Sequence, residues 1–349
     1  MSRHIFADSR VKEEFFDRFP ELVGQENSGL ESTTVASGGL DVMPVPEVYP
    51  STIPTIDHAR STVEALQEGG SEQIEPGLEA IILRFGRPAY FIREDSFDTT
   101  NAVSSSNEVN QRVNAAKETL ENWIPSVGRV NTRDHLSPWQ GTGWIVAPGV
   151  VVTNRHVAST FAQLHGDEFV LNSTGGKKVK PELNMKEEHQ IDKEKLFEMP
   201  TVLWIEPPDS PHDVAFLSIA DRSYRNEVLP QPISLMEQEQ YNDLPVDHWT
   251  AIIGYPARSP YNDAQDQQRI FEGVFNVKRL QPGVITSKTS ESVSHDATTL
   301  GGNSGSVLLD LESGSAVALH WGGLEGERNS AVAAPKVKQL LLEKVLNIT

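Results

Sequence analysis

The chain has 349 residues, no cysteine and a formal net charge of −19, with 38% hydrophobic and 23% charged side chains. That balance describes a globular chain with apolar material for a full core, and its acidity argues against non-specific binding to nucleic acid or an anionic membrane. Without cysteine there is no disulfide, thiolate nucleophile or cysteine-ligated metal.

The opening Met-Ser-Arg-His-Ile-Phe-Ala-Asp-Ser-Arg lacks the continuous apolar core of a signal peptide. Nowhere do the ~18 apolar residues of a membrane span run together, so a cytoplasmic location is expected. Residues 10–23 place Val11, Phe15, Phe16 and Phe19 on one face of a helix that Pro20 would end. Residues 24–56, rich in Gly, Ser, Thr and Pro, read as a linker, and Ile56–Gln67 as a short helix stopped by Gly69-Gly70. Residues 1–77 are therefore expected to form a flexible acidic leader, suited to regulation or to docking a regulatory protein partner.

Residues 78–95 carry two β-rich runs around Gly86-Arg87-Pro88, a hairpin signal. Val109, Val113, Ala116 and Leu120 then recur at helical steps across 109–123. Residues 78–122 read as an accessory hairpin plus helix packed on the domain that follows, residues 123–349. That domain should begin with a strand at Val127–Thr132. Short β-rich runs follow at 142–147, 150–154, 168–171, 200–206, 213–219, 249–254, 273–278, 283–288, 304–309 and 315–320, with turn signals between them, which argues for an all-β sandwich or barrel. Residues 177–198, charged and without apolar period, read as a surface insertion. Pro335–Asn347 reads as an amphipathic closing helix with Val337, Leu340, Leu341 and Val345 inward.

Three stretches carry chemistry. In Thr298–Ser306, Thr-Thr-Leu-Gly-Gly-Asn-Ser-Gly-Ser, a serine stands among small residues on a glycine turn. On its own such a cluster is often just a turn. Gly141–Ala158 reads as two β-branched strands joined at Pro148-Gly149, with His156 after the second. His212-Asp213-Val-Ala-Phe-Leu-Ser-Ile opens a buried apolar strand on an aspartate, and Asp213 is favoured over Asp209, Asp221 and His212 because it alone directly precedes that strand. A general base, its orienting carboxylate and a nucleophile require histidine, aspartate and serine: His156, Asp213 and Ser304. The amides of Gly302 and Ser304 are the expected oxyanion-hole donors.

Together these stretches resemble the trypsin-like, chymotrypsin-fold serine peptidases. The resemblance covers roughly residues 123–349 and implies an all-β, chymotrypsin-like double six-stranded β-barrel, here with an N-terminal extension and a C-terminal helix. It implies a serine endopeptidase acting on protein or peptide substrates, whose triad supports acylation and hydrolysis with neither metal nor cofactor. The Thr-Thr-Leu-Gly-Gly-Asn-Ser-Gly-Ser run, Ile253-Gly-Tyr-Pro256, His320-Trp-Gly-Gly323 and Asn329-Ser-Ala-Val332 further resemble the bacterial glutamyl endopeptidases. In that branch, threonine and histidine at the positions of Thr299 and His320 line the primary pocket, which implies a preference for Glu or Asp before the scissile bond. Thr298 stands where trypsin carries an aspartate, so Lys or Arg preference is not expected. Asn303 replaces the aspartate that pairs with a freed N-terminus in trypsin-type zymogens, so that activation switch is not expected either. The alternative is a non-catalytic barrel that keeps the three residues but works as a binding or scaffold module.

Overall fold

In a computed structural model of the chain the described residues are 87–100, 107–259, 264–324 and 328–347. The helices expected within 10–23 and 56–67, the intervening linker and the first strand of the hairpin expected around residues 86–88 lie outside them.

The alternating apolar runs form two β-sheets. In the first, β3 (Val127–Arg133), β4 (Trp139–Ala147), β5 (Val150–Thr153), β10 (Lys180–Asn184), β11 (Leu196–Glu198), β12 (Val202–Ile205) and β13 (Ala215–Ser218) pair in the order β11-β10-β3-β4-β5-β13-β12. Gly149 turns β4 into β5 at φ +71°, left-handed backbone that glycine adopts at little cost. Two small hairpins, β6 (Ala162–His165) with β7 (Glu168–Leu171) and β8 (Ser173–Thr174) with β9 (Lys177–Lys178), lie between β5 and β10. Val130, Ile145, Val151, Leu183, Phe197 and Leu217 fill the interior. No strand pairing joins β11 to β12 among the described residues, so this barrel is open where six closed strands were expected. Instead, irregular backbone after β13 reaches across, Ala220 N–H donating to Glu198 O and Tyr224 N–H to Leu196 O.

The second sheet closes. Its ring is β14 (Trp249–Gly254), β17 (Val307–Asp310), β18 (Ala316–Leu324), β19 (Arg328–Ala333), β16 (Ser292–His295) and β15 (Arg279–Lys288), which pairs back to β14. Ile252, Ile285, Val293, Leu308, Ala318 and Ala331 pack inside. The first half of β15 also carries β1 (Tyr90–Arg93), which turns through Glu94 and Asp95 into β2 (Ser96–Phe97). The architecture is the expected chymotrypsin-like double barrel.

Helices α1 (Asn107–Ala115) and α2 (Lys117–Glu121) replace the single helix expected at 109–123. Nine and five residues are too few for helices stable alone, for which about 12–15 are needed, so packing must hold them. Val109, Val113, Ala116 and Leu120 share one apolar cluster with Tyr90, Ile92, Phe97 and with Trp144, Phe216, Ala251 and Val307 of both barrels. Burying each large apolar side chain contributes roughly 1.5–3 kcal/mol. A 3-10 turn spans Ile124–Ser126, and four more α-helices follow: α3 (Arg155–Ala158), α4 (Gln238–Asp243), α5 (Ala264–Phe271) and α6 (Ala334–Leu341), which continues as a π-helical turn over Leu342–Leu346 and whose Val337, Leu340 and Leu341 point inward as expected.

Two further expectations are corrected. Residues 177–198 are not a surface insertion: Val179, Leu183, Met185 and Phe197 are core, and β10 and β11 are barrel strands. Their acidic and basic neighbours masked the period, because Glu182 is itself buried and paired with Arg133. Residues 273–278 are a turn region, with Gly273 and Asn276 at φ +68° and +62°, and the strand runs instead from Arg279 straight through Pro282-Gly283.

Candidate active site

His156 sits in α3, directly after β5, and Asp213 directly before β13; the pairing of β5 with β13 brings the two side chains together. Asp213 Oδ1 accepts the His156 backbone N–H at 3.0 Å, and Oδ2 lies 2.5 Å from Nδ1. Asn154, two residues earlier at the N-cap of α3, donates its side-chain amide to the Asp213 carbonyl at 2.8 Å. Arg155 donates to the carbonyls of Pro207, Ser210 and His212, bracing the approach to Asp213. The His156 ring is half exposed while Asp213 is mostly covered, so one imidazole nitrogen is held and the other is open to a substrate. His212, next to Asp213, is buried and faces Glu291 at 3.7 Å.

Ser304 lies on the turn between the two barrels. Thr142 of β4 donates its N–H to Ser304 O at 2.8 Å and its hydroxyl to Gly302 O at 2.8 Å. From the other barrel, His320 of β18 accepts the Gly305 N–H at 2.8 Å and donates its own to Ser306 O at 2.9 Å. Gly302 and Gly305 take φ +85° and +88°. A Cβ at Gly302 would stand 2.4 Å from Tyr255 O and 2.5 Å from the Trp139 ring, and one at Gly305 only 2.0 Å from Thr142 O. A Cβ at Gly141 would likewise stand 2.8 Å from Ser304 O on one side and 2.9 Å from the side chain of Val157, the neighbour of His156, on the other. That absence of a side chain lets the histidine helix and the serine turn approach. Within the turn, Asn303, Gly305 and Ser306 donate their N–H groups to Leu300, His320 and Asn303 carbonyls. Among the described residues the amides of Gly302 and Ser304 have no such acceptor. The Ser304 hydroxyl is 3.5 Å from Trp321 O, too long for a strong hydrogen bond.

Thr299 and His320 have different settings. The Thr299 hydroxyl donates to Asn329 Oδ1 at 2.7 Å, and Asn329 Nδ2 donates to Ala297 O at 2.5 Å. His320 is buried, its Nδ1 3.1 Å from Nε2 of His295, which is buried too. Burial pushes the His295 pKa down to about 3. Burial, with His295 and His156 nearby, holds His320 well below the usual imidazole range. Both rings are neutral near pH 7. Asn303 is fully buried and its carboxamide has no partner among the described residues. Also among them, no group of three or more His, Cys, Asp or Glu is placed to hold a metal ion, and no helix is long and apolar enough to cross a membrane.

The residue patterns alone do not single out Asn154, Thr142 or Trp139. Asn154 stands inside the Thr-Asn-Arg-His motif, a local signal; the other two are recognisable only by what they face across the fold.

Two barrels with a histidine–aspartate pair on one and a glycine-flanked serine turn between them define the class of trypsin-like serine hydrolases. The chain belongs to the trypsin-like peptidase domain family, which it matches over residues 141–319. It is similar to a probable serine protease of Lysobacter enzymogenes, 26% identical over 328 residues that cover 80% of this chain and 78% of that protein. Among solved structures it is similar to the active form of the Rv3671c protease of M. tuberculosis, with 17% identity, a TM-score of 0.42 and coverage of 67% of this chain and 86% of that one. It is similar also to the serine endoprotease from Yersinia pestis, with 18% identity, a TM-score of 0.43 and 66% of each chain covered. As a member of this family it is a serine peptidase whose substrates are proteins or peptides.

Proposed function

We propose that this chain is a serine endopeptidase in which Ser304 is the nucleophile, His156 the base and Asp213 its orienting carboxylate, with a preference for Glu or Asp before the scissile bond. The two-point hold of Asp213 on His156 carries the reading. It directs Nδ1–H to the carboxylate and leaves Nε2 unprotonated to take the Ser304 proton as Oγ attacks the scissile carbonyl. The developing oxyanion is met by the amides of Gly302 and Ser304, each worth about 3–4 kcal/mol to the transition state. The imidazolium then protonates the leaving amine, the acyl-enzyme forms, and water attacking through the same base releases the acid.

The acidic preference is supported by the setting of Thr299 and His320. If Nε2–H of His295 donates to Nδ1 of His320, the one proton of neutral His320 stands on Nε2, a donor for a substrate carboxylate. A neutral donor also avoids burying a permanent cation when no substrate is bound. The extension, leader 1–77 with the unit 78–122, is assigned to regulation of the peptidase.

A second reading, a non-catalytic binding module, draws on the Ser304 hydroxyl facing Trp321 O instead of His156. One experiment decides between them: fluorophosphonate labelling of wild type and Ser304→Ala, followed by cleavage profiling on peptides differing only in the residue before the scissile bond. Labelling that requires Ser304, with cleavage favouring Glu over Gln and Lys, supports the peptidase reading. A folded wild type that never labels supports the binding module.

A further inference from the structure

The segment Asp296–Thr299, which leads into the serine turn, is held from two sides. On one side Asn329 takes the Thr299 hydroxyl and the Ala297 carbonyl. On the other stands Arg87, a residue far away in sequence. Its Nε and Nη2 both donate to Asp296 Oδ2, at 3.1 and 2.6 Å. Its carbonyl accepts the Thr298 hydroxyl at 2.9 Å, and its guanidinium lies 4.6 Å from the centre of the Trp249 ring. Asp296 is 4% exposed, and its second oxygen accepts the Val284 N–H at 2.5 Å. A buried carboxylate this covered requires a charged partner, and the ion pair it makes is with Arg87.

Arg87 is also one end of a clasp. Three residues after it begins β1, and at the far end of that strand the Glu94 N–H donates to Glu188 at 2.6 Å while Asp95 pairs with Lys186 at 2.5 Å, both on the first barrel. With Tyr90 paired to Leu280 and Phe91 to Arg279, these contacts define the register of β1 on β15 and so the place where Arg87 meets Asp296.

We propose that Arg87 is a positioning residue for the substrate pocket, holding Asp296 and Thr298 so that Thr299, whose hydroxyl donates to Asn329 Oδ1, stands where it can turn that proton to an acidic side chain before the scissile bond. The inference rests on the pocket reading above. Neither Arg87 nor Asp296 touches the reacting atoms, so their loss should act on substrate binding more than on the nucleophile.

The test uses the full-length protein with Arg87→Ala, Arg87→Lys and Asp296→Asn, measuring kcat and KM on a peptide with Glu before the scissile bond, and the rate of Ser304 labelling by a small fluorophosphonate that leaves the pocket unfilled. The expected result is a KM about fivefold to tenfold higher for Arg87→Ala and Asp296→Asn, labelling rates within about twofold of wild type, and KM largely restored by lysine. Asp296→Asn keeps the acceptor for Val284 and tests the pair if Arg87→Ala does not fold. An unchanged KM in both variants overturns the proposal. So does labelling that falls in step with cleavage, which would make the pair a folding contact. A wild type that labels at Ser304 but does not prefer Glu over Gln overturns the pocket reading itself, an outcome separable from the other two.

Discussion

Asp213 holds His156 by both its backbone and its ring: Oδ1 accepts the backbone N–H at 3.0 Å while Oδ2 meets Nδ1 at 2.5 Å. The two contacts have different consequences. The backbone bond fixes where α3 starts, and the ring contact selects the tautomer. Asp213→Asn should therefore keep the fold, since an amide oxygen still accepts the backbone N–H, while its NH2 group disfavours a proton on Nδ1. The expected outcome is a fall in kcat of roughly 10³–10⁴-fold with a melting temperature close to wild type. Steady-state kinetics beside thermal unfolding check it.

The serine turn depends on two glycines with positive φ. At Gly305 a methyl group would stand 2.0 Å from the Thr142 carbonyl, backbone that cannot swing aside. Gly305→Ala is expected to lose the bond to His320 O and to destabilise the domain by roughly 2–4 kcal/mol, read by urea unfolding. At Gly302 part of the clash is with the Trp139 ring, so Gly302→Ala combined with Trp139→Ala should recover more stability than Gly305→Ala combined with Thr142→Ala.

The buried histidines make the domain sensitive to acid. Their folded pKa values are depressed, His295 to about 3, whereas an unfolded histidine titrates near 6.5. Between those values the unfolded chain binds more protons, so the stability is fully present above about pH 6.5 and falls as pH drops toward 3. Each ring adds up to about 1.4 kcal/mol per pH unit to that slope. His295→Phe should flatten the acid limb of a plot of unfolding free energy against pH.

Lys278 predicts the opposite limb. It is fully buried, donates to the carbonyls of Ile124 and Met185, and is pushed down to about 8 by burial although Asp95 and Glu188 oppose the shift. An unfolded lysine titrates near 10.4, so stability should rise from pH 8 towards 10. Above about pH 10 the buried hydroxyls of Tyr241 and Tyr255, both raised, reverse the trend. Lys278→Met should abolish the rise, measured by urea unfolding at pH 7.5 and 9.5.

Much of the fold and of the site is legible one segment at a time. The strands around Pro148-Gly149, the apolar strand after Asp213 and the glycine turn at Ser304 announce themselves because alternation and turn chemistry are local properties of a few neighbouring residues. His156, Asp213 and Ser304 stand within those segments, so each can be named without knowing what it faces. What the segments cannot express is pairing. Lys180–Asn184 looks like a solvent-exposed run until Arg133 comes from another strand to meet Glu182. His295 has no assignable role until the ring of β16 and β18 around β19 sets it against His320. Arg87 reads as a hairpin-turn residue until the closed barrel presents Asp296 to it. Sequence alone determined which residue types stand in which local conformations; the tertiary structure decided which polar groups are buried and who satisfies them, because burying a charge or a hydrogen-bonding group is tolerable only with a partner, and here that partner comes from a distant part of the chain.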